Sequence, residues 1–369
     1  MKVCVITVLD NTNFVTYLQA LATCKAIEEV GHEAEVVRYT RKFMTPSGMS
    51  SNILKERGLL RWINRRYLKP FKNIFRLRSL DYNFLAKHVS VTSEYIGFEH
   101  LQERPPAADL YLTGSDQVWN SVYNRGIDRS YYLDFAPKDK NRIAYAASIG
   151  MSEIPQDQLD VVRNLLSKYN AITVRETSSV DILSRIGIKS SVVLDPTLLL
   201  NREQWVKYAD QTQPSEEEYI LTYSVEYGNE DSIIEYYAKQ VASRKKLKIY
   251  HVSYSGPSSM PTYADKVFPY ATPDVFLRLM LGASFVIVSS FHGTAFAINF
   301  NKPFITVTPH RFNSRIDSLL SLTGLNSRKV SDCDIRIDDM ECIDYETVNN
   351  VLDDERKKSL FLLKSMIEQ

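Results

Sequence analysis

The stretch KVCVITVLDNTNFVTYLQALATCKAIEEVGHEAEVVRY, residues 2–39, contains two apolar runs separated by a segment with helical spacing. The first run, 2–9, predicts a strand, and the helical segment ends at Gly31, a residue type that commonly closes a helix. The second run, 33–39, predicts another strand. Strand, helix and strand in this order form a βαβ unit, in which the two strands lie parallel.

The same alternation of strands and helices continues along the chain. The predicted strands are apolar along their whole length, which is typical of a parallel sheet that is covered on both faces. In the first half they are 109–113, 142–148, 171–176 and 190–195, with helices near 156–168 and 178–186. In the second half they are 219–224, 247–252, 284–289 and 304–307, with helices near 230–243, 273–281 and 293–300.

A polar, proline-containing segment at 210–217 separates the two series and is the predicted domain boundary. We therefore expect an α/β protein with two Rossmann-like domains, 1–209 and 218–369, that face each other across a cleft. A last helix is predicted at roughly 345–367, and its position allows it to pack back on the first domain.

The composition excludes several classes of protein. Lys and Arg number 45 against 44 Asp and Glu, and this formal charge of +1 gives no indication of a nucleic-acid partner. The four cysteines lie far apart and show no CxxC spacing, so we expect reduced thiols and a cytoplasmic protein. No run of about 18 apolar residues occurs, and no transmembrane helix is predicted.

The segment 55–78 is strongly basic. It contains nine Lys or Arg against a single Glu, interleaved with aromatic and aliphatic residues, and Pro70 prevents it from forming one straight helix. Such a stretch suits peripheral contact with the inner face of a membrane or with a lipid-linked phosphorylated molecule. The alternative is a solvated insertion that covers the edge of the sheet.

The stretch GSDQVWN, residues 114–120, is the first candidate for a functional site. It follows the predicted strand 109–113, and ligands of open α/β sheets bind beyond the carboxyl ends of the strands. Its first three residues suit a plain turn, but a turn needs neither Gln117 nor Trp119. The stretch is therefore predicted to belong to a site.

Two further candidates lie at strand ends. Asn13 follows the first strand, and Arg175 lies at the end of the apolar strand 171–176. A buried arginine is costly unless it pairs with Glu176, with another carboxylate or with a ligand.

The stretch SSFHG, residues 289–293, follows a predicted strand and opens a helix. The first turn of a helix carries unpaired N–H groups and a partial positive charge, so it binds phosphate or carboxylate, and Gly293 allows a ligand close to the backbone. His292 can donate or accept a proton near neutral pH. Ser290 as a simple N-cap and His292 as a structural histidine are the alternative, but the strand-to-helix turn favours function.

The expected ligand is an anion bound without a metal or a standard nucleotide motif. Arg311 and Arg315 flank the start of the next helix, where each can bind phosphate through two hydrogen bonds. No GxxxxGK[ST] loop and no GxGxxG turn occurs, and the six histidines show no metal-binding spacing.

Several stretches together resemble the polysaccharide pyruvyl transferase family. In chain order they are GSDQVWN, YAASIG, ITVRETSSVDILSRIGI, VVLDPTLLLNREQW, SSFHGTAFAINFNKPFI and FNSRIDSLLSLTGL, and NTNFVTYLQALA resembles the family's opening loop and helix. The likeness runs from near residue 1 to near residue 328.

The resemblance implies a fold like that of GT-B glycosyltransferases and the transfer of pyruvate from phosphoenolpyruvate to a sugar as a ketal, in capsule or other exopolysaccharide biosynthesis. It implies no cofactor beyond phosphoenolpyruvate as co-substrate, no metal, and a sugar or lipid-linked oligosaccharide as acceptor. Some ketal-forming members have Arg-Leu-His where this chain has Ser290-Phe291-His292. Either Arg311 or Arg315 replaces that arginine, or this branch uses a different donor or acceptor.

The resemblance also implies roles for the candidate residues. On the second, donor-side domain, His292 is the general acid, and the donor is held by Ser289, Ser290, Gly293, Arg311 and Arg315 together with Arg175. On the first, acceptor-side domain, Asp116 accepts the proton of the sugar hydroxyl, supported by Ser115 and Gln117, and Asn13 is a further acceptor-binding residue. Trp119 either stacks on the sugar or packs the loop.

Two other functions remain open from the sequence. A glycosyltransferase with the same fold would use a nucleotide-sugar donor and release a nucleotide instead of inorganic phosphate. A non-catalytic glycan-binding relative would show no turnover. A resemblance supports the fold more safely than the reaction.

Overall fold

The computed structural model describes residues 1–9, 13–45, 47–48, 80–211, 217–224, 229–253, 261–269, 271–308, 314–334 and 342–369. These residues form two sheets, and all of their strand pairs are parallel. The prediction of an α/β protein with two parallel-sheet domains is confirmed.

The first sheet has seven strands. They are β1 (Lys2–Ile6), β2 (Glu33–Thr40), β3 (Ser90–Ile96), β4 (Leu110–Thr113), β5 (Asn141–Ala147), β6 (Ala171–Val174) and β7 (Ser191–Val192), in the order β3-β2-β1-β4-β5-β6-β7. Its helices are α1 (Phe14–Glu29), α2 (80–88), α3 (Gly97–Glu103), α4 (Leu159–Leu166) and α5 (Thr177–Arg185). Gly31 (φ 92°) follows α1 and Gly187 (φ 76°) follows α5, where a left-handed glycine ends each helix as predicted.

The second sheet has six strands. They are β8 (Tyr219–Ser224), β9 (Lys248–Ser253), β10 (Lys266–Pro269), β11 (Phe285–Val288), β12 (Phe304–Val307) and β13 (Lys329–Val330), in the order β10-β9-β8-β11-β12-β13. The remaining helices are α6 (Pro196–Leu199), α7 (Arg202–Val206), α8 (Asn229–Lys245), α9 (Pro273–Gly282), α10 (Phe291–Asn299), α11 (Ser314–Leu322) and α12 (Tyr345–Ile367).

The structure differs from the sequence-based expectation mainly at the sheet edges. The outer strands β3, β10 and β13 were not predicted, and only Ser191–Val192 of the predicted strand 190–195 pairs with a neighbour. An edge strand pairs on one side only and exposes part of its surface, so it lacks the continuous apolar pattern of a central strand. The central strands β4, β8, β11 and β12 are buried along their whole length.

The chain divides into two compact units, Met1–Pro196 with Leu360–Gln369, and Thr197–Ser359. The first unit therefore ends before the polar segment 210–217, of which 212–216 lie outside the described residues. Within the second unit, the Asn299 side-chain amide donates to the carbonyl oxygens of Thr197 and Leu200 at 3.0 and 2.8 Å. These bonds attach the start of this unit to α10.

Each sheet has one position where the strand order reverses. In the first sheet, β1 and β4 are neighbours and the chain proceeds outward from them in both directions; in the second, β8 and β11 hold this position. The loops beyond the carboxyl ends of such a strand pair form the usual ligand crevice of an open α/β sheet. Gly114–Asn120 follows β4 and Ser289–Gly293 follows β11, so both stretches selected from the sequence lie at these positions.

None of the helices in the described part of the chain combines the length and apolar character needed to cross a bilayer. The basic segment 55–78 lies outside the described residues.

Candidate functional site

The turn after β4 begins at Gly114, where a side chain would crowd Thr7. A Cβ at this position would lie 3.0 Å from the Cβ of Thr7. The Gly114 N–H donates to the carbonyl oxygen of Ile6 at 2.8 Å. The turn is thereby attached to the carboxyl end of β1.

Asp116 has a left-handed backbone conformation with φ 73°, which aspartate tolerates better than most residues. Its carbonyl oxygen accepts hydrogen bonds from the N–H groups of Val118 at 2.7 Å and Ser148 at 3.0 Å. Its side chain is 11% exposed. The backbone bonds therefore fix the direction in which this carboxylate leaves the sheet.

Arg175, directly after β6, is the centre of a buried ion-pair network. Its Nη1 lies 2.8 Å from Asp195 Oδ2, its Nη2 3.0 Å from Asp116 Oδ1, and its Nε 3.7 Å from Glu176 Oε2. Burial lowers the pKa of Arg175, but the carboxylates of Asp195, Asp116 and Glu176 outweigh this effect, and the pKa lies above its usual value.

This network argues against a direct contact between Arg175 and the donor. The side chain has no exposed surface, and its terminal nitrogens contact carboxylates of the same unit. Pairing with carboxylates is the alternative that the sequence left open. Arg175 contacts the site through Asp116 and offers no surface to a phosphate.

Ser115 also belongs to the interior of this network. Its hydroxyl donates to Asp195 Oδ2 at 3.0 Å, and its carbonyl oxygen accepts from the Thr7 hydroxyl at 2.7 Å. Thr7 Oγ1 in turn accepts from the Gln19 side-chain amide at 2.7 Å. Since Ser115 is fully buried, it supports the loop from within and does not present its hydroxyl to a sugar.

Gln117 and Asn120 connect the loop to the segment after β5. The Asn120 amide donates to Gln117 Oε1 at 2.6 Å and to the carbonyl oxygen of Gly150 at 3.1 Å. Gly150 has φ 60°, and a Cβ there would lie 2.5 Å from Gln117 Oε1. Gln117 is half-buried and stays a candidate for contact with an acceptor.

Trp119 packs the loop, which is one of the two alternatives that the sequence left open for it. It is 3% exposed and lies in the hydrophobic core of the first unit. Its Nε1 donates to the carbonyl oxygen of Tyr131 at 3.2 Å, and its ring stacks on Tyr132 with a centroid separation of 5.9 Å.

Asn13 is the N-cap of α1. Its side-chain oxygen accepts from the Val15 N–H at 3.2 Å, so this oxygen is engaged in capping the start of the helix. The neighbouring residues 10–12 lie outside the described residues.

In the second unit, Ser290 is the N-cap of α10 and its hydroxyl accepts from the Gly293 N–H at 3.0 Å. A Cβ at Gly293 would lie 2.9 Å from both Ser290 Oγ and Val288 Cβ. The glycine is therefore needed for packing inside the unit, and its N–H is already bonded. Ser290 has the capping role that the sequence left open as the alternative.

Ser289 and His292 lie on either side of this cap. Both are buried, at 4% and 7% exposure. The Ser289 hydroxyl has no hydrogen-bond partner among the described residues, whereas the His292 ring lies 5.2 Å from that of Phe291. The Arg315 guanidinium lies over the same Phe291 ring, 5.9 Å from its centroid. Arg311 lies outside the described residues.

Sequence reasoning gave no role to Asp195, Ser148 or Ser179. Glu176 Oε1 accepts from the Ser148 hydroxyl at 2.9 Å and from the Ser179 hydroxyl. Asp195 comes at the end of the apolar run VVLD, and Asp116 comes shortly after the apolar run LYLT. A carboxylate at the end of a strand was therefore the signal that could have identified Asp195. The sequence could not show that the two carboxylates share one arginine.

A surface cavity of about 680 Å³ lies at the opposite edge of the first sheet, where Lys2, Glu33 and Ser90 begin β1, β2 and β3. Ligands of open α/β sheets bind at the carboxyl ends of the strands, so this cavity is not the favoured site. Among the residues that the structure describes, no group of three or more His, Cys, Asp or Glu is placed to hold a metal ion.

Comparison with known proteins supports the fold and identifies a family. The family model of polysaccharide pyruvyl transferases matches residues 17–311. No curated protein matches the chain.

Two solved structures show the same fold at low sequence identity. UDP-GlcNAc 2-epimerase from Methanocaldococcus jannaschii has a TM-score of 0.54 and 11% identity, over 96% of this chain and 92% of that one. A protein of Listeria monocytogenes assigned as a UDP-N-acetylglucosamine 2-epimerase has a TM-score of 0.52 and 10% identity, over 98% and 91%. The likeness confirms a GT-B-like fold and carries no information on the reaction.

Proposed function

Because the chain belongs to the polysaccharide pyruvyl transferase family and is a transferase, we propose that it moves the pyruvyl group of phosphoenolpyruvate onto a sugar as a cyclic ketal. Family membership is the observation that carries this proposal. The positions of Asp116 and His292, each beyond the strand pair where its own sheet reverses order, support it.

The proposed reaction joins two sugar hydroxyls to one carbon. The first hydroxyl oxygen bonds to C2 of phosphoenolpyruvate while C3 takes a proton and becomes a methyl group. The C2–O bond to phosphate then breaks with both electrons leaving on phosphate, and the second hydroxyl oxygen bonds to C2. The protons of the two hydroxyls balance the proton gained by C3 and the one released with phosphate.

We assign the proton transfers to two side chains. His292 is the acid that protonates C3, and Asp116 accepts the proton of the attacking hydroxyl. The hydrogen bonds to the Asp116 carbonyl oxygen and the contact of its carboxylate with Arg175 favour a fixed orientation, which such catalysis requires.

The donor has both a phosphate and a carboxylate, and we place it at the start of α10. A helix N-terminus favours anions. The buried Ser289 hydroxyl supports this placement, because a buried group without a partner costs about 1–3 kcal/mol and a ligand oxygen would satisfy it. Arg315 and Arg311 are the proposed cations.

The acceptor is proposed to be a sugar, free or linked to a lipid, with Gln117 as the half-buried contact. A cytoplasmic enzyme that meets the inner face of the membrane through 55–78 would suit a lipid-linked acceptor.

The test is incubation of the purified protein with phosphoenolpyruvate and a panel of galactosides that includes lipid-linked sugars. We expect inorganic phosphate and a pyruvyl ketal in equal amounts, measured by a phosphate assay and by mass spectrometry. Reactions without acceptor and with His292→Gln are the controls. Nucleotide release from a nucleotide sugar, without use of phosphoenolpyruvate, would replace this proposal by glycosyl transfer. Glycan binding without turnover of any donor would indicate a binding protein.

A further inference from the structure

Asp195 connects Arg175, the centre of the buried ion-pair network, to the loop Gly114–Asn120. Its Oδ2 accepts from two donors, Arg175 Nη1 at 2.8 Å and the Ser115 hydroxyl at 3.0 Å. The side chains of Asp195 and Arg175 both have no exposed surface. Asp195 therefore contacts both the residue before Asp116 and the cation that Asp116 contacts.

The contact with Asp195 determines how Arg175 meets Asp116. An arginine can bind a carboxylate with two parallel hydrogen bonds. Here Nη1 is directed to Asp195, and the bond to Asp116 runs from Nη2 alone, at 3.0 Å. Asp116 and Asp195 thus share the two terminal nitrogens of one guanidinium, and the attraction of the arginine to each is weaker than in an exclusive pair.

The contact with Ser115 determines the backbone next to Asp116. Ser115 is bonded through its hydroxyl to Asp195 and through its carbonyl oxygen to Thr7. The left-handed backbone conformation of Asp116 costs about 1–3 kcal/mol of conformational energy and persists only where surrounding contacts offset that cost. Asp195 contributes to holding it from one side, and Val118 and Ser148 do so through the Asp116 carbonyl oxygen from the other.

We propose that Asp195 is a positioning residue, which shares Arg175 with Asp116 and fixes the loop through Ser115 so that the Asp116 carboxylate is oriented and basic enough to accept the hydroxyl proton. This role rests on the proposed function, since Asp116 acts on the acceptor only in the proposed pyruvyl transfer. Asp195 itself is buried and does not touch the substrate.

The first test is Asp195→Asn, which keeps the shape and removes the charge. With the guanidinium released to Asp116, we expect kcat to fall about 10-fold to 100-fold, while KM for the acceptor changes little. This loss is smaller than most of the roughly 100-fold to 10,000-fold that proton transfer contributes, because the base is weakened and not removed. The acidic limb of the kcat–pH profile should move to lower pH, because Asp116 becomes a weaker base when Asp195 no longer competes for Arg175 and Glu176 is the other carboxylate that contacts this arginine.

Leu183→Ala is the matched control, because it destabilises the same unit at a fully buried position of α5 outside the network. It should lower the thermal midpoint without moving the pH limb. Asp195 would be merely structural if the acidic limb of the kcat–pH profile of Asp195→Asn did not move and its activity fell only as much as that of this control. If Asp195→Asn does not fold, Ser115→Ala removes one donor to Asp195 and should move the same limb by a smaller amount.

Hydrogen exchange separates this inference from the reaction. The Val118 and Ser148 amides, which bond to the Asp116 carbonyl oxygen, should exchange faster in Asp195→Asn than in Leu183→Ala at equal stability. This result would support the positioning role even if no acceptor reacts with phosphoenolpyruvate. Unchanged exchange would overturn it even if the wild type makes the ketal.

Discussion

Burial decides what the individual polar and aromatic side chains of this chain do. Arg175 and Trp119 were both candidates for ligand contact, and both are enclosed within the first unit, one by carboxylates and the other by aromatic rings. Asp116 keeps a small exposed surface at the edge of the sheet. The residue types alone were compatible with either outcome.

His292 provides the most direct test of the proposed chemistry. Replacement of the imidazole in His292→Gln removes the group that protonates C3, and kcat should fall about 100-fold or more. Steady-state phosphate release measures the effect, and circular dichroism checks the fold. His88→Gln, at the amino-end edge of the first sheet, should retain activity. Full turnover by His292→Gln would remove the acid assignment.

Lys302 is predicted to destabilise the protein at neutral pH. Burial, with a smaller contribution from Arg202, lowers its pKa to about 8. Between this value and an unfolded pKa of about 10.4, the unfolded chain holds the proton that the folded protein has lost, so stability rises with pH across this window. Below it, folding must bury a charged amine.

Lys302→Met keeps the aliphatic length and removes the charge. The variant should be more stable than the wild type at pH 7, and the difference should shrink as the pH rises from 8 towards about 10.4. Urea unfolding at several pH values measures it, with Lys207→Met at an exposed position as the control. A difference that does not depend on pH would contradict the assignment.

The elements of secondary structure follow local signals where these signals are strong. Asparagine is a preferred N-cap residue, and Asn201 forms a full capping box with Gln204 at the start of α7. Central strands were recognised from continuous apolar runs. Edge strands were not recognised in this way, because they form through pairing with a neighbouring strand and lack a continuous apolar run.

The capping box gives a prediction that does not depend on the reaction. Asn201→Ala leaves the Gln204 N–H without its 2.9 Å acceptor, and the free energy of unfolding should fall by about 1 kcal/mol. Chemical denaturation measures the loss. Asn201→Ser, which restores an N-cap oxygen, should recover most of it, and equal losses in both variants would argue against capping.

The two compact units share one element. The helix α12 is continuous from Tyr345 to Ile367, while Leu360–Gln369 belongs to the first unit and the residues before it to the second. Within the first unit, His32 Nε2 lies 3.6 Å from Glu368 Oε1. The last turns of the chain therefore belong to the first unit.

Leu363 tests this attachment. It is fully buried, whereas Phe361, two residues earlier, is 74% exposed. Leu363→Ala should lower the free energy of unfolding by about 2–5 kcal/mol because it leaves a cavity, and Phe361→Ala should have little effect. Hydrogen exchange should show the loss of protection in the strands of the first unit. Similar effects of the two variants would contradict the packing.

Local patterns in the sequence were enough for the class of fold, since apolar runs, helical spacing, caps and glycines act over a few residues. They were also enough to select polar loops at strand ends. The strand order and the partners of Arg175 depend on the tertiary structure: Asp116 and Asp195 are 59 and 20 residues away from Arg175 in the chain. Parallel strands bring their carboxyl ends to one edge of the sheet, and only there do distant residues meet and a buried charge find its partners.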